Sequence, residues 1–270
     1  MRFNRSGGIL LHPTSLPGKY GIGDLGPNAY RWVDLLAETN SKLWQILPLG
    51  QTGYGDSPYQ CFSAFAGNIY LISPEALLED DLLEKDDLEK LPHFPTDKVD
   101  FGLIIEWKKK ILAQAAARFL SNINQYQVNE YNKFCEEQSS WLDDYALFMV
   151  LKSKFASKSW LDWPLTIRKR DYNFLSHFIQ DHKDELNVQK FYQFLFFKQW
   201  LKLKLYANNR AIEIIGDTPI FVAMDSADVW THPELFRLNE RLEPEVVAGV
   251  PPDYFSKTGQ LWGNPLYDWP

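Results

Sequence analysis

Two short apolar runs, each shut by a proline, constrain this chain more than any other feature. Gly8-Ile9-Leu10-Leu11-His12 is stopped by Pro13, and Leu43-Trp44-Gln45-Ile46-Leu47 is stopped by Pro48. A continuous apolar run of this length reads as a strand buried on both faces. Proline closes it by removing an N–H and fixing φ. Between the runs, Pro27 opens a helical segment from Asn28 to Thr39 that sets Trp32, Leu35 and Leu36 on one face. Strand, helix and strand within about forty residues form a βαβ unit, whose strands are parallel and whose crossover is right-handed. A third strand is expected at Ile212-Glu213-Ile214-Ile215, leading through Gly216-Asp217-Thr218-Pro219 into Ile220-Phe221-Val222.

From Ser73 to about Arg210 the texture changes to helical spacing. Trp107, Ile111, Ala115 and Phe119 form one stripe, and Trp141, Tyr145, Phe148 and Met149 another. Val188 to Ala207, with Phe191, Leu195, Trp200 and Leu203, predicts a helix with a strongly buried face. The acidic stretch Glu79 to Glu89 reads as a solvated face. This region is too long for a simple crossover, so a helical insertion is expected, followed by the helix that returns to the sheet. Ala223 to Pro270 is rich in turn residues and shows little periodicity. The class is therefore α/β, with three parallel strands opening a larger fold.

Composition narrows the partners. With 28 Lys+Arg against 35 Asp+Glu the net charge is −7 and the isoelectric point is near 5.3, the opposite of the basic face a nucleic-acid binder carries. Mean hydropathy is −0.32. No apolar run approaches the ~20 residues that cross a bilayer, and Met1-Arg2-Phe3-Asn4 carries no apolar signal segment. Neither nucleic acid nor a membrane is an expected partner, and the expected setting is cytoplasmic. Cys61 and Cys135 are too few for a disulfide framework or a metal knuckle. Aromatic residues make up 15% of the chain; such rings fill cores, and they also stack on the apolar faces of sugars.

In parallel α/β folds, sites gather at the carboxyl ends of strands. Those ends carry His12-Pro13-Thr14-Ser15, then Tyr54 to Gln60, then Asp217. His12, His93, His177, His182 and His232 show no zinc-site spacing, so neither a metal nor a cofactor is expected. Gly21-Ile22-Gly23-Asp24-Leu25-Gly26 fits G-x-G-x-x-G, but no acidic residue ends the next strand where a ribose would need one. Paired carboxylates are the remaining route. Asp56, Asp217 and Asp253 all lie at strand ends or in loops. Retaining glycosyl chemistry needs two carboxyls roughly 5–5.5 Å apart, whereas a loop aspartate serves equally well as a turn or cap residue.

Four ordered stretches resemble the amylomaltases, the 4-α-glucanotransferases that act on maltodextrins. They are Gly8-Ile-Leu-Leu-His-Pro-Thr-Ser15; Leu47-Pro-Leu-Gly50 with Gly53-Tyr-Gly-Asp-Ser-Pro-Tyr-Gln60 and Ser63-Ala-Phe-Ala-Gly-Asn68; Ile215-Gly-Asp-Thr-Pro-Ile-Phe-Val222; and Ala248-Gly-Val-Pro-Pro-Asp-Tyr-Phe-Ser256 with Trp262-Gly-Asn-Pro265. The resemblance implies the first three strands of a TIM (β/α)8 barrel. Residues 1–72 would carry strands one and two with a substrate loop, 73–186 the helical insertion, and 187–270 the returning helix, strand three and an acceptor-site flap. It implies retaining transfer of α-1,4-glucan segments to a sugar acceptor. Tyr59 would pack against the sugar beside the cleaved bond, with Ser57 a nearby hydroxyl contact and Tyr54 a ring of an outer glucan groove. Asp217 resembles the supporting aspartate rather than the nucleophile. Asp253, Phe255 and Trp262 resemble the flap, with Asp253 on the acceptor side.

The family's nucleophilic aspartate follows an arginine on a fourth strand, and its acid/base glutamate lies on a fifth. No Arg-x-Asp-His segment occurs in these residues. The expectation is an N-terminal portion, inactive and poorly stable alone, because losing both carboxyls removes the covalent step and the leaving-group proton. Two alternatives stand beside it: a non-catalytic glucan-binding fragment, and an α-amylase-like hydrolase.

Overall fold

The three expected strands pair in one sheet. In the computed structural model, which describes residues 5–121 and 124–269 apart from the Tyr54 side chain, β1 (Gly8–Leu10), β2 (Leu43–Gln45) and β3 (Glu213–Ile215) lie in the order β1-β2-β3. Both pairings are parallel, with Ile9 opposite Trp44 and Trp44 opposite Ile214. α1 (Pro27–Glu38) forms the crossover from β1 to β2. The strands are shorter than the apolar runs because the chain turns at His12, whose side chain accepts from the Thr14 N–H ahead of a 3-10 turn over Pro13–Ser15.

Two expectations about burial need correction. Within the three strands only Trp44 of β2 is buried: it is fully enclosed, its Nε1 donates to Leu11 O at 2.8 Å, and Gln45 beside it is exposed. β1 is not buried on both faces, since Leu10 is 53% exposed and Ile9 is open as well. It is an outer strand of the sheet. On α1 the buried face is Ala29, Val33 and Leu36, and Leu35 points to solvent; a neighbour on a helix sits about 100° away.

The chain forms two compact units. The first comprises Met1–Leu49, Gly67–Glu137 and Phe191–Thr218. Besides the sheet and α1 it contains α2 (Pro74–Glu79), α3 (Phe101–Ser121) and α4 (Gln125–Glu137). The expected stripe Trp107, Ile111, Ala115 and Phe119 is buried on α3. The acidic stretch is less simple than a solvated face: Leu82 and Leu83 are buried in it, and Asp87 meets Arg118 Nη1 at 2.5 Å. That guanidinium holds the Asp87 carboxyl below its usual range.

The second unit comprises Gly50–Ala66, Gln138–Lys190 and Pro219–Pro270. It contains α5 (Ser139–Lys154), α6 (Leu165–Arg168), α7 (Tyr172–Asp181), and the start of α8 (Lys183–Asn209), whose part from Phe191 belongs to the first unit. Tyr145 and Phe148 of α5 are buried beside Trp160, Trp163 and Trp230. Buried indoles need a partner for their N–H: Trp160 Nε1 donates to Met224 O at 2.7 Å, and Trp230 Nε1 to Ile167 O at 3.0 Å. These bonds pin the segment that follows Pro219. The stretch read as irregular holds α9 (Ala227–Thr231) and an antiparallel pair, β4 (Val247–Val250) with β5 (Gln260–Pro265). Gly249 and Gly263 interrupt the alternation that would have marked the strands, and α9 spans only five residues.

Candidate functional site

The loop from Gly50 to Phe62 closes on itself. Thr52 bridges Cys61 in antiparallel fashion, Phe62 N donates to Gln51 O at 3.1 Å, and Gly53 N to Gln60 O at 2.7 Å. Buried Gln51 accepts from Tyr145 Oη at 3.2 Å, tying the loop to α5. At the tip Gly55 (φ 68°) and Asp56 (φ 53°) both adopt the left-handed region, which glycine and aspartate tolerate best. Ser57 Oγ then accepts from Tyr59 N at 3.3 Å, and Ser57 O from Gln60 N at 3.0 Å. The turn leaves Tyr59 43% exposed, a ring held out on a braced loop. The ring of Tyr54 lies outside the described residues.

Gln60 joins this loop to β5. Its Nε2 donates to Asn264 Oδ1 at 3.2 Å, and the buried Asn264 donates to Val222 O at 3.0 Å. Gln60, the residue after Tyr59, and Asn264, two residues after Trp262, thus tie the Tyr59 loop to β5 and to Val222. Trp262 is 47% exposed, with its Nε1 donating to Gln260 Oε1 at 3.1 Å. In the loop between β4 and β5, Asp253 Oδ1 accepts from Phe255 N at 2.9 Å and Ser256 N at 2.7 Å. The aspartate shapes that turn, and Tyr254 and Phe255 stand almost fully exposed beside it. Gly259 closes the loop at φ 75°, where a Cβ would meet Val250 O at 2.4 Å.

Ser57, Tyr59, Asp253, Phe255 and Trp262 therefore belong to one unit. Asp217 belongs to the other, exposed just beyond the carboxyl end of β3. At the ends of the neighbouring strands, His12 Nδ1 lies 2.7 Å from Thr14 Oγ1 and Nε2 lies 3.3 Å from Pro48 O. Burial depresses the His12 pKa, favouring a neutral ring that clamps the turns after β1 and β2. Sequence patterns assigned no role to Gln60 or Asn264. The available signal was Asn264 itself, an amide in the Trp-Gly-Asn-Pro stretch of a strand.

Among the described residues no group of three or more His, Cys, Asp or Glu could hold a metal ion, and no helix is long and apolar enough to cross a membrane. A family model described as 4-alpha-glucanotransferase, of glycoside hydrolase family 77, matches residues 11–270. The chain belongs to this family. It is 50% identical over 266 residues to the 4-alpha-glucanotransferase of Synechocystis sp., covering 98% of this chain and 53% of that protein. It is 51% identical over 262 residues to that of Clostridium butyricum, covering 96% and 53%. The fold matches amylomaltase from Streptococcus agalactiae, solved in complex with acarbose, at a TM-score of 0.93 and 42% identity, over 98% of this chain and 54% of that one. The chain thus spans about half the length of the family members it matches.

Proposed function

We propose that this chain supplies part of a cytoplasmic 4-α-glucanotransferase, presenting saccharide-contacting side chains to an α-1,4-glucan. The observation that carries this is the polar chain from Gln60 through Asn264, which braces the Tyr59 loop against the strand bearing Trp262. A maltodextrin is a curved ribbon with apolar faces and a hydroxyl rim. Half-exposed rings on braced backbone suit its faces, and hydroxyl and carboxylate groups suit its rim. The likeness to an amylomaltase solved with acarbose supports the same ligand class. In this proposal Tyr59 packs on the sugar beside the cleaved bond, Ser57 contacts a hydroxyl, and Tyr54 lies in an outer groove. Asp253, Phe255 and Trp262 form a flap on the acceptor side, where exclusion of water favours a sugar acceptor over hydrolysis. Asp217, just beyond the carboxyl end of β3 in the first unit, takes the part of the family's supporting aspartate.

The three strands would open a (β/α)8 barrel carried by residues 1–72 and 187–270, with 73–186 as its helical insertion. The nucleophile and acid/base carboxylates of a retaining double displacement would lie in the part of the family's length that this chain does not span. Joined to that part, the protein should convert maltotriose into glucose and longer dextrins; hydrolysis products alone would overturn transfer. The 270-residue chain alone should bind maltotetraose without turnover, at least tenfold more weakly after Tyr59→Ala. Unchanged binding in that variant would remove Tyr59 from the site.

A further inference from the structure

The second unit holds a cavity that neither Tyr59 nor Trp262 lines. It measures about 470 Å³, inside the ~300–1,000 Å³ of small-molecule sites. Phe65 and Trp141 give it one aromatic wall: their rings are near-parallel at 20°, with centroids 6.4 Å apart, and Phe65 is 61% exposed. The indole is held in orientation because its Nε1 donates to Gln138 Oε1 at 2.9 Å. A second wall is the stacked pair Phe236 and Tyr267, with centroids 5.0 Å apart. The lining also carries the polar side chains Ser63, Ser140, Asp144, Asp228, Thr231 and His232. Asp228 Oδ2 accepts from Ala64 N at 3.0 Å, and burial raises the pKa of its carboxyl.

The charge and polarity of the lining select the ligand. A wholly apolar guest would close the cavity over the Asp228 carboxylate without offering it a further hydrogen-bond donor. An anion would meet Asp228 at close range. Asp144 already pairs with Arg170 at 2.5 Å, which leaves the Asp228 carboxylate, bonded by the Ala64 N–H at one oxygen, to accept from a guest. What fits both rings and acceptors is a neutral polyol with an apolar face. We propose that this cavity is a second saccharide site, taking one or two glucose units of the same α-1,4-glucan and stacking them on Phe65 and Trp141 while Asp228 accepts from their hydroxyls. The choice of glucan rests on the proposed function. Two points of attachment on one protein raise the effective concentration of a long glucan at each.

The test is 19F NMR on 5-fluorotryptophan-labelled protein titrated with maltotetraose, with resonances assigned through Trp141→Phe and Trp262→Phe. The Trp141 signal should shift and saturate, its apparent affinity should fall at least tenfold in Phe65→Ala, and it should recover in Phe65→Tyr and persist in Tyr59→Ala. Phe65 is exposed, so its truncation leaves the fold intact. A response at Trp262 with Trp141 silent overturns the second site and leaves the first standing. A response at Trp141 with Trp262 silent supports the cavity and overturns the Tyr59–Trp262 surface. Silence at both overturns both.

Discussion

Asp24 and Lys108 form the most consequential ion pair among the described residues, because both are buried. Lys108 Nζ lies 3.7 Å from Asp24 Oδ2 and donates to Ile72 O at 2.5 Å, while Asp24 Oδ1 accepts from Gly26 N at 2.9 Å at the start of α1. Desolvation dominates both groups. It pushes Asp24 from 3.8 up to about 6 against the pull of Lys108, and it lowers Lys108 against the pull of Asp24. Removing one partner strands the other, so Lys108→Met should cost about 3–5 kcal/mol in urea unfolding at pH 7.5. Asp24→Asn combined with Lys108→Met should cost less than the sum of the single changes, and additive losses would show that the pair is not coupled. The pH dependence has a definite sign. Asp24 titrates higher folded than unfolded, so the native state binds the extra proton between 3.8 and about 6. Its contribution to stability therefore falls as pH rises through that window and is flat outside it. Measured against Asp24→Asn, the wild-type protein should lose ground between pH 4 and 6; a gain would refute the assignment.

At the scale of elements, α8 does more than bury an apolar stripe. Gln193 accepts from Gly67 N at 2.7 Å and donates to Gly67 O at 3.0 Å, and Gln199 serves Ser73 in the same way at 2.7 and 3.4 Å. Two side-chain amides thus complete the backbone bonding of a buried segment that has no strand partner. Gly67 must be glycine, because a Cβ there would fall 1.9 Å from the Phe196 ring. Gln193→Leu would leave a buried N–H and a buried carbonyl unpaired, each costing ~1–3 kcal/mol. The variant should lose on the order of 3 kcal/mol in denaturant unfolding, and a loss below about 0.5 kcal/mol would show that water replaces the amide. None of this was visible in periodicity, which marked Phe191, Leu195, Trp200 and Leu203 of α8 as buried, although Trp200 is only half-buried, and passed over the glutamines between them. The sheet was legible because its apolar runs are closed by proline. The β4–β5 pair was not, because Gly249 and Gly263 break the alternation along its strands. For the proposed site, Tyr59, Asp253 and Trp262 were nominated from the stretches that carry the family resemblance, whereas Gln60 and Asn264, which join two of those stretches, act through a contact between positions 204 apart.

For the molecule as a whole, the first unit is unusual in what it leaves open. β1 and β3 are the outer strands of its sheet, and Ile9, Leu10 and Ile215 on them are exposed, as are Leu201 and Leu205 one turn apart on α8. An outer strand offers unpaired backbone groups to any similar strand, and apolar side chains beside it add a driving force of about 25 cal/mol per Å² covered. Nothing among the described residues blunts these strands: the sheet's outer positions carry no lysine or proline, only Glu213 at the start of β3. The 270-residue chain should therefore self-associate at micromolar concentration and bind a dye that reports exposed apolar surface. Leu10→Lys with Ile215→Lys should suppress both effects without lowering the unfolding midpoint, because neither side chain is in the core. Joining the chain to the remainder of the family's length should suppress them too, if that remainder pairs with β3. A chain that stays monomeric and dye-silent at tens of micromolar would show that these strands need no cover, and would remove the physical ground for expecting further strands beside β3.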